Sequence, residues 1–282
     1  MKSGSPRLSH KTQAALGVFA AAACASGVAI VLLLILGYIV REGAGAISLE
    51  FLTDVPHPLG VPGGGVGNGI VGTMIVVGIA ALMAIPIGTL TGVYLTYFGR
   101  GLTAAGVMFL SDVLSGIPSI AIGLFAYTVL VAPLRHFSAF SASFAFAILM
   151  LPVIITTTVG AVLGVSRDYY EAALALGVPR HTAIMSVIIP SARSGIITGV
   201  VLAVARVTGE TAPLLFTAFG SQFWELNPNN PMAELSLQIF TYAISPYRSW
   251  HQQAWGGALI LVLMVLVMNL GARILLKPKF AR

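Results

Sequence analysis

The sequence predicts an all-α membrane protein that crosses the bilayer about six times. Hydrophobic residues make up 57 % of the chain and charged residues only 9 %, whereas a typical soluble domain carries about 25 % charged residues. The mean hydropathy is +0.94. The long apolar runs lack the alternation of period two that spanning β-strands show, which favours helices as the spanning elements.

The apolar runs set the order and bounds of the spans. The first run is well beyond the roughly 7–15 residues of a signal-peptide core, so we expect it to remain as a spanning helix. Prolines interrupt the next three spans at Pro86, Pro118 and Pro152. The six spans are expected at about residues 14–40, 70–98, 104–134, 140–165, 195–220 and 254–276.

The distribution of lysine and arginine predicts the orientation. With the N-terminus in the cytoplasm, that side receives most of the basic residues, and the outside receives only Arg41, Arg135 and Arg248. The formal charge of +6 therefore needs no nucleic-acid partner. The expected parts are a cytoplasmic basic tail (1–13), the first transmembrane helix (14–40), a periplasmic segment (41–65), a transmembrane core (66–276) with a cytoplasmic loop (166–194), and a second cytoplasmic tail (277–282).

The glycine-rich segment from Gly63 to Gly69 has two interpretations. A phosphate-binding loop of the Walker type requires Lys-Ser/Thr after its last glycine, and Ile70-Val71 stands there instead. A flexible turn before the second span is the simpler interpretation. No Walker motif occurs in the chain, so we expect no enzymatic activity and no bound cofactor, with any ATP hydrolysed by another polypeptide. Cys24 is the single cysteine, and we expect no metal site.

Two charged residues lie in the fifth predicted span, where each costs about 2.5–3.5 kcal/mol at mid-bilayer. Arg206 and Glu210 are four residues apart, so on a continuous helix they share one face and can pair. The pair either fixes helix packing or forms part of a substrate pathway, in which Arg206 attracts an anion and Glu210 limits how tightly it is held. Thr208 lies beside them and joins the candidate pathway residues.

The third predicted span carries a further charge, Asp112. With Ser115 and Ser119 it falls at positions i, i+3 and i+7, which predicts a polar stripe along one helix face. The stripe either faces a water-filled path, or Asp112 lies near the cytoplasmic interface and caps or snorkels there. All three residues are candidates for the substrate pathway.

The loop 166–194 is the main polar interruption on the cytoplasmic side. Asp168 followed three residues later by Glu171 predicts a capping box, and Gly177 predicts the end of that helix. A second short helix is expected from Pro179 to Pro190. On the outer side, the segment 221–253 is too polar to span and is expected to contain a short helix that starts at Pro231.

The order of residues in this loop resembles the EAA loop of binding-protein-dependent ABC importer permeases. The motif residues are Glu171-Ala172-Ala173, then Gly177, then Val187-x-Ile189-Pro190. The core is similar more narrowly to the PstA-type permeases of phosphate importers. That similarity rests on the segments 69–73 (GIVGT), 114–125 (LSGIPSIAIGLF), 171–177 (EAALALG) and 206–213 (RVTGETAP).

The resemblance implies a fold and a set of partners. The fold would be a type I importer permease core of the MetI-like kind, in a bacterial inner membrane. Glu171, Ala172, Ala173 and Gly177 would couple the chain to an ATPase homodimer (PstB type) that uses ATP and magnesium. A second permease subunit (PstC type) would complete a heterodimeric pore, and an external binding protein (PstS type) would deliver inorganic phosphate. Arg206 and Glu210 match charged positions of this family's pathway.

Other functions stay open on the sequence alone. An importer for a different oxyanion, such as sulfate or molybdate, would share every feature of the residue pattern. A secondary transporter or channel predicts broken helices repeated across two halves of the chain, and no such repeat is visible. A purely structural subunit would not need charges at mid-membrane.

Overall fold

The computed structural model describes residues 10–58, 60–61 and 63–275, and this part of the chain is helical without any strand. Five helices are long and apolar enough to cross a membrane, and a bent helix pair makes up to six. The predicted all-α, polytopic fold class is confirmed. Residues 1–9 of the first predicted tail, the whole second predicted tail (277–282) and residue 276 of the sixth predicted span lie outside the described residues. The helices are α1 (His10–Gly43), α2 (Leu49–Thr53), α3 (Gly67–Tyr97), α4 (Gly101–Gly116), α5 (Ser119–Ala126), α6 (Ala132–Leu134), α7 (Ala139–Leu163), α8 (Arg167–Ala175), α9 (Arg180–Ala183), α10 (Ile189–Thr208), α11 (Leu214–Thr217), α12 (Leu235–Ala243) and α13 (Arg248–Leu275).

Two opposite faces bound the helical bundle. The basic face, as we call it, holds the end of α3, the end of α7, α8 and the start of α9, and it carries Arg100, Arg167 and Arg180. The opposite face holds α2, the starts of α3 and α7, and α12. Helix α1 runs along α13 with its side chains exposed on the surface of the chain, as expected for a helix that faces lipid.

Helix α7 is the centre of the bundle and contacts α3, α4, α5, α10 and α11. Small residues allow the closest approaches, as in other membrane helix pairs. A Cβ on Gly88 of α3 would lie 2.7 Å from Cγ2 of Ile154, and one on Gly92 would lie 2.6 Å from Cβ of Thr158. On α10, Gly199 lies directly against Thr157. These contacts fix both neighbouring spans to α7.

The third predicted span is broken. Helices α4 and α5 meet at an angle of 106° around Pro118, so residues 104–134 do not form one continuous helix. Pro118 has an extended ψ of 135° and carries no N–H to continue the α4 hydrogen bonds. After α5, a π-helical turn (Tyr127–Val131) leads into α6.

The fifth span begins earlier than predicted. Helix α9, a π-helical turn (Ile184–Ile188) and α10 follow one another without a break and form a single helix from Arg180 to Thr208. The prediction of a separate short helix that ends at Pro190 is therefore wrong. The π-helical turn just before Pro190 shifts the backbone hydrogen-bond pattern, which allows proline to stand at the start of α10 without breaking the helix.

On the opposite face, the short helix predicted to start at Pro231 starts at Leu235 instead. The residues before it are used as hydrogen-bond acceptors for α7. The N–H of Ala139 donates to the carbonyl of Asn230 at 3.0 Å, and the N–H of Phe140 donates to that of Pro228 at 2.9 Å. These bonds satisfy N–H groups at the start of α7 that have no partner within the helix.

The glycine-rich segment forms a turn that packs closely against α2. Gly64 has a φ of +88°, and Gly65 donates its N–H to the carbonyl of Val55 at 2.9 Å. A Cβ on Gly65 would lie 2.8 Å from the carbonyl oxygen of Asp54. The turn is as predicted, but contacts with α2 hold it in place, so the expectation of a flexible segment is wrong.

Candidate functional site

Helix α8 lies on the basic face, and its start differs slightly from the prediction. The helix begins at Arg167, and Ser166 is its N-cap, with its hydroxyl accepting from the N–H of Asp168 at 3.3 Å. The same hydroxyl donates to the Asp168 carboxylate at 2.9 Å. The capping box with Asp168 as N-cap is therefore wrong by two residues, because Ser166 occupies the cap and Asp168 lies inside the first turn.

The end of α8 matches the prediction. Gly177 adopts a φ of +82°, which favours glycine. Its N–H donates to the carbonyl of Leu174 at 2.9 Å, and the N–H of Val178 donates to that of Ala173 at 3.1 Å. This pair of bonds is a Schellman motif, which ends the helix sharply. The chain then reverses into the helix that starts at Arg180.

The motif residues of α8 lie on two different sides of the helix, one buried and one exposed. Ala173 is buried against the protein, whereas Glu171 and Ala172 are exposed. Leu176 is 85 % exposed, and Met185, in the following helix, is 60 % exposed. We call the exposed side of α8, with Glu171, Ala172 and Leu176, the candidate docking surface.

Aromatic and aliphatic contacts attach α8 to the spans. The ring of Tyr170 lies 4.8 Å from the ring of Tyr97 at the end of α3. Tyr170 also packs against a buried cluster that includes Val93, Val162 and Ile188. The candidate docking surface is therefore joined to the ends of α3 and α7.

Arg206 and Glu210 do not form the expected helical pair. Helix α10 ends at Thr208 with Gly209 as its C-cap, so Glu210 lies beyond the helix and the two side chains do not share one face. The ion pairs found in the described part of the chain include neither residue. Arg206 is exposed and Glu210 is half-buried. An intrachain packing pair is thus not what the structure contains.

The segment that follows α10 is held by polar and close apolar contacts. The hydroxyl of Ser236 donates to the carbonyl of Glu210 at 2.9 Å. A Cβ on Gly123 of α5 would lie 2.6 Å from Cα of Pro213. Thr208 is buried, and its hydroxyl donates to the carbonyl of Val204 at 2.8 Å. Its place in a substrate pathway stays a prediction.

The predicted polar stripe is interrupted by the break in the third span. Asp112 and Ser115 are exposed on α4, and the Ser115 hydroxyl donates to the carbonyl of Ser111 at 3.0 Å. Ser119 begins α5 on the other side of the 106° bend, so the three residues do not line one helix face. Ser119 lies one turn before Gly123, which places it near the segment that follows Arg206. The pathway roles of these residues stay predictions.

Glu234, which no sequence pattern singled out, is 1 % exposed at the N-terminus of α12. Neither carboxyl oxygen has a hydrogen bond of good geometry in the described residues. Burial raises the pKa of Glu234 to about 8, and the nearby Thr73 hydroxyl offsets part of that shift. Thr73 also accepts the N–H of Leu235 at 2.9 Å, so α12 is docked on α3 at this point.

Comparison with known proteins agrees with this arrangement. The family model described as "Binding-protein-dependent transport system inner membrane component" matches residues 84–277. A phosphate transport system permease protein PstA of Haemophilus influenzae is 42 % identical over 246 residues, which cover 87 % of each chain. Its counterpart in Yersinia pestis is 39 % identical over 241 residues, covering 85 % of this chain and 82 % of the relative.

A solved structure shares the fold. A chain of the MetNI methionine ABC transporter, in an inward-facing conformation, superposes with a TM-score of 0.62 at 16 % identity. The superposition covers 75 % of this chain and 94 % of the other. The MetI-like permease fold expected from the sequence is confirmed.

The buried carboxyl of Glu234 predicts a pH-dependent stability. From pH 4.5, its ordinary pKa, to about pH 8, the folded chain binds a proton that the unfolded chain releases, so stability falls as pH rises across this window. The fall amounts to at most about 5 kcal/mol. Glu234→Gln should remove this slope and unfold at a higher temperature than the original protein at pH 8, as measured by thermal unfolding in detergent.

Glu225→Gln is the matched control. This exposed carboxylate accepts hydrogen bonds from the N–H groups of Asn227 and Leu226 and from the Asn230 amide, which lower its pKa, so its titration lies below the window. The control should keep the original slope between pH 5.5 and 8.5. An identical slope in Glu234→Gln would contradict the assignment.

Proposed function

Because the chain belongs to the family of binding-protein-dependent transport system inner membrane components, we propose that it is the permease subunit of an ATP-driven importer of inorganic phosphate. The observation that carries the coupling to ATP is α8, which exposes Glu171 and Ala172 and is fastened to two spans. The substrate follows from the relatives, which are named as phosphate transport permeases and which match this chain over most of their length.

We propose that the basic face lies in the cytoplasm. Loops rich in arginine and lysine remain on that side of a membrane; Arg100 and Arg167 line one pocket on this face, and Arg180 starts the helix that follows α8. The opposite face, with α2 and α12, then lies outside and receives the phosphate-binding protein (PstS type). This orientation places α8 within reach of an ATPase.

In the proposed complex, α8 is the element that an ATPase homodimer (PstB type) moves. A groove on the ATPase would recognise the charge of the exposed Glu171 and the apolar surface of Leu176. ATP and magnesium are bound by that partner. Movement of α8 is transmitted through Tyr170 to the end of α3 and through the helix from Arg180 to Arg206.

The pore is proposed to form between this chain and a second permease subunit (PstC type). Arg206 is exposed on the surface of the isolated chain without a carboxylate partner in the described residues. An unpaired guanidinium costs several kcal/mol inside a bilayer unless it faces a partner or water. A pore that carries an anion supplies such surroundings, and phosphate matches the guanidinium fork.

Two alternative functions can be compared with the phosphate importer. Another oxyanion, such as sulfate or molybdate, would also suit Arg206, and competition in uptake assays distinguishes it from phosphate. A secondary transporter or channel would have no use for α8 with its exposed motif, so the geometry favours the ATP-driven importer.

Reversal of the charge on Glu171 should uncouple the chain from its ATPase. Glu171 is exposed, so Glu171→Lys leaves the buried side of α8 unchanged. The variant should therefore reach the membrane in normal amounts. We expect at least about tenfold less ATPase to co-purify, a loss of ~1.4 kcal/mol in binding. Glu225→Lys, on the opposite face, is the control and should retain the ATPase. Equal recovery from both variants would contradict the docking role.

Removal of the charge at Arg206 should impair transport without impairing folding. Arg206 lies at the end of α10 without an ion pair in the described residues, so Arg206→Gln should leave the membrane abundance normal. We expect phosphate uptake by this variant to fall at least about tenfold. Arg206→Lys, which keeps the charge, should retain part of the activity. Normal uptake in Arg206→Gln would refute a pathway role, and parallel loss of uptake and abundance would instead indicate a packing role.

A further inference from the structure

A pocket of about 440 Å³ on the basic face has no assigned occupant. It lies where the end of α3, the end of α7 and α8 meet. Its lining includes the side chains of Tyr97, Arg100, Leu163, Arg167 and Tyr170. Its volume falls within the range of about 300–1,000 Å³ that is typical of small-molecule sites.

Two arginines and two tyrosines line this pocket. Arg100 and Arg167 are exposed, and neither forms an ion pair with any other described residue. Arg167 lies close enough to the Tyr97 hydroxyl to interact with it electrostatically, and the Tyr97 and Tyr170 rings are 4.8 Å apart. Within the described chain neither hydroxyl has a hydrogen-bond partner. Glu171 also lines the pocket, so its charged side chains sum to one positive charge.

This set of groups suits a phosphate ester. A guanidinium binds phosphate oxygens through two parallel N–H bonds, and a phenol hydroxyl adds a further donor. A small anion is held most tightly where several donors converge and few acceptors compete. Here Glu171 is the one carboxylate in the lining, and the unpaired donors outnumber it.

The position of the pocket indicates that the phosphate belongs to a lipid. Tyr97 is the last residue of the span Gly67–Tyr97 and Arg100 follows it closely, and aromatic and basic residues at the ends of spans typically lie at the level of the lipid head groups. Phe98 and Leu102, which flank Arg100 in the chain, are 45 % and 92 % exposed and offer apolar surface to acyl chains. Basic pockets between membrane helices on the cytoplasmic side are typical sites for anionic lipid head groups.

We propose that this pocket binds the phosphate head group of an anionic phospholipid. The bound head group bridges Arg100, next to α3, and Arg167, in α8, and so fastens the candidate docking surface to the membrane interface. Its effect on coupling rests on the function proposed above, whereas the binding itself does not.

The test uses the purified permease complex in nanodiscs of phosphatidylglycerol and phosphatidylcholine in equal parts. After gentle release, native mass spectrometry counts the phosphatidylglycerol molecules that stay bound. Arg100→Gln/Arg167→Gln should retain the anionic lipid at least about tenfold less often than the original complex. Arg180→Gln removes a positive charge from the same face outside the pocket and should retain the lipid normally; it is matched to Arg100→Gln alone, which should retain less.

Three results would overturn the proposal. The first is equal loss of lipid from the double variant and from the control Arg180→Gln, which would indicate a general effect of surface charge. The second is no loss from either. The third is a thermal stabilisation by inorganic phosphate in pure phosphatidylcholine nanodiscs that disappears in Arg100→Gln/Arg167→Gln, which would assign the pocket to free phosphate.

Two further measurements keep the test independent of folding and of transport. Thermal unfolding in phosphatidylcholine alone should be the same for the double variant and the original complex, and Arg100→Gln alone serves if the double variant is unstable. Lipid retention needs neither ATP nor substrate. Normal retention with no phosphate transport would therefore reject the proposed function and keep the lipid site.

Discussion

The close packing of α3 and α10 on α7 is the interaction on which the rest of the structure depends. The contacts are close because glycine, which has no side chain, stands at each of them: Gly88 and Gly92 on α3 and Gly199 on α10. The backbones of α3 and α10 therefore lie directly against side chains of α7. In a bilayer, apolar burial alone drives little helix association, so this shape fit supplies much of the cohesion. It also sets where the helix ends emerge, and the end of α3 beside α7 is the platform on which Tyr170 and α8 rest.

Polar side chains without an ion-pair or hydrogen-bond partner in the described residues are candidates for a role beyond helix packing. Arg206 is charged, exposed and without an intrachain partner, which suits a surface completed by a second subunit and crossed by an anion. Glu234 is the converse case, buried and without a good hydrogen bond, and so holds its proton at neutral pH. The hydroxyl of its neighbour Ser236 donates a hydrogen bond to the carbonyl of Glu210, which connects α12 to the proposed pathway segment.

Local signals in the sequence predicted local structure well, and long-range contacts decided the rest. Gly177 ends α8 as expected because a Schellman turn needs only neighbouring residues. The spacing of Arg206 and Glu210 predicted a shared face, and this failed because α10 ends at Thr208. Pro118 signalled an interruption but not a bend of 106°, which depends on packing against other helices. The burial of Glu234 depends on α3, far away in sequence, and left no local signal.

We propose that this chain conducts phosphate only when an ATPase drives α8. This proposal predicts accumulation of radiolabelled phosphate in sealed vesicles that contain the chain, its second permease subunit and the ATPase, with the phosphate-binding protein added outside. We expect accumulation that requires both enclosed ATP and the binding protein and that excess sulfate or molybdate leaves unchanged. Uptake that proceeds without ATP, or that follows an ion gradient alone, would contradict ATP-driven transport by this chain.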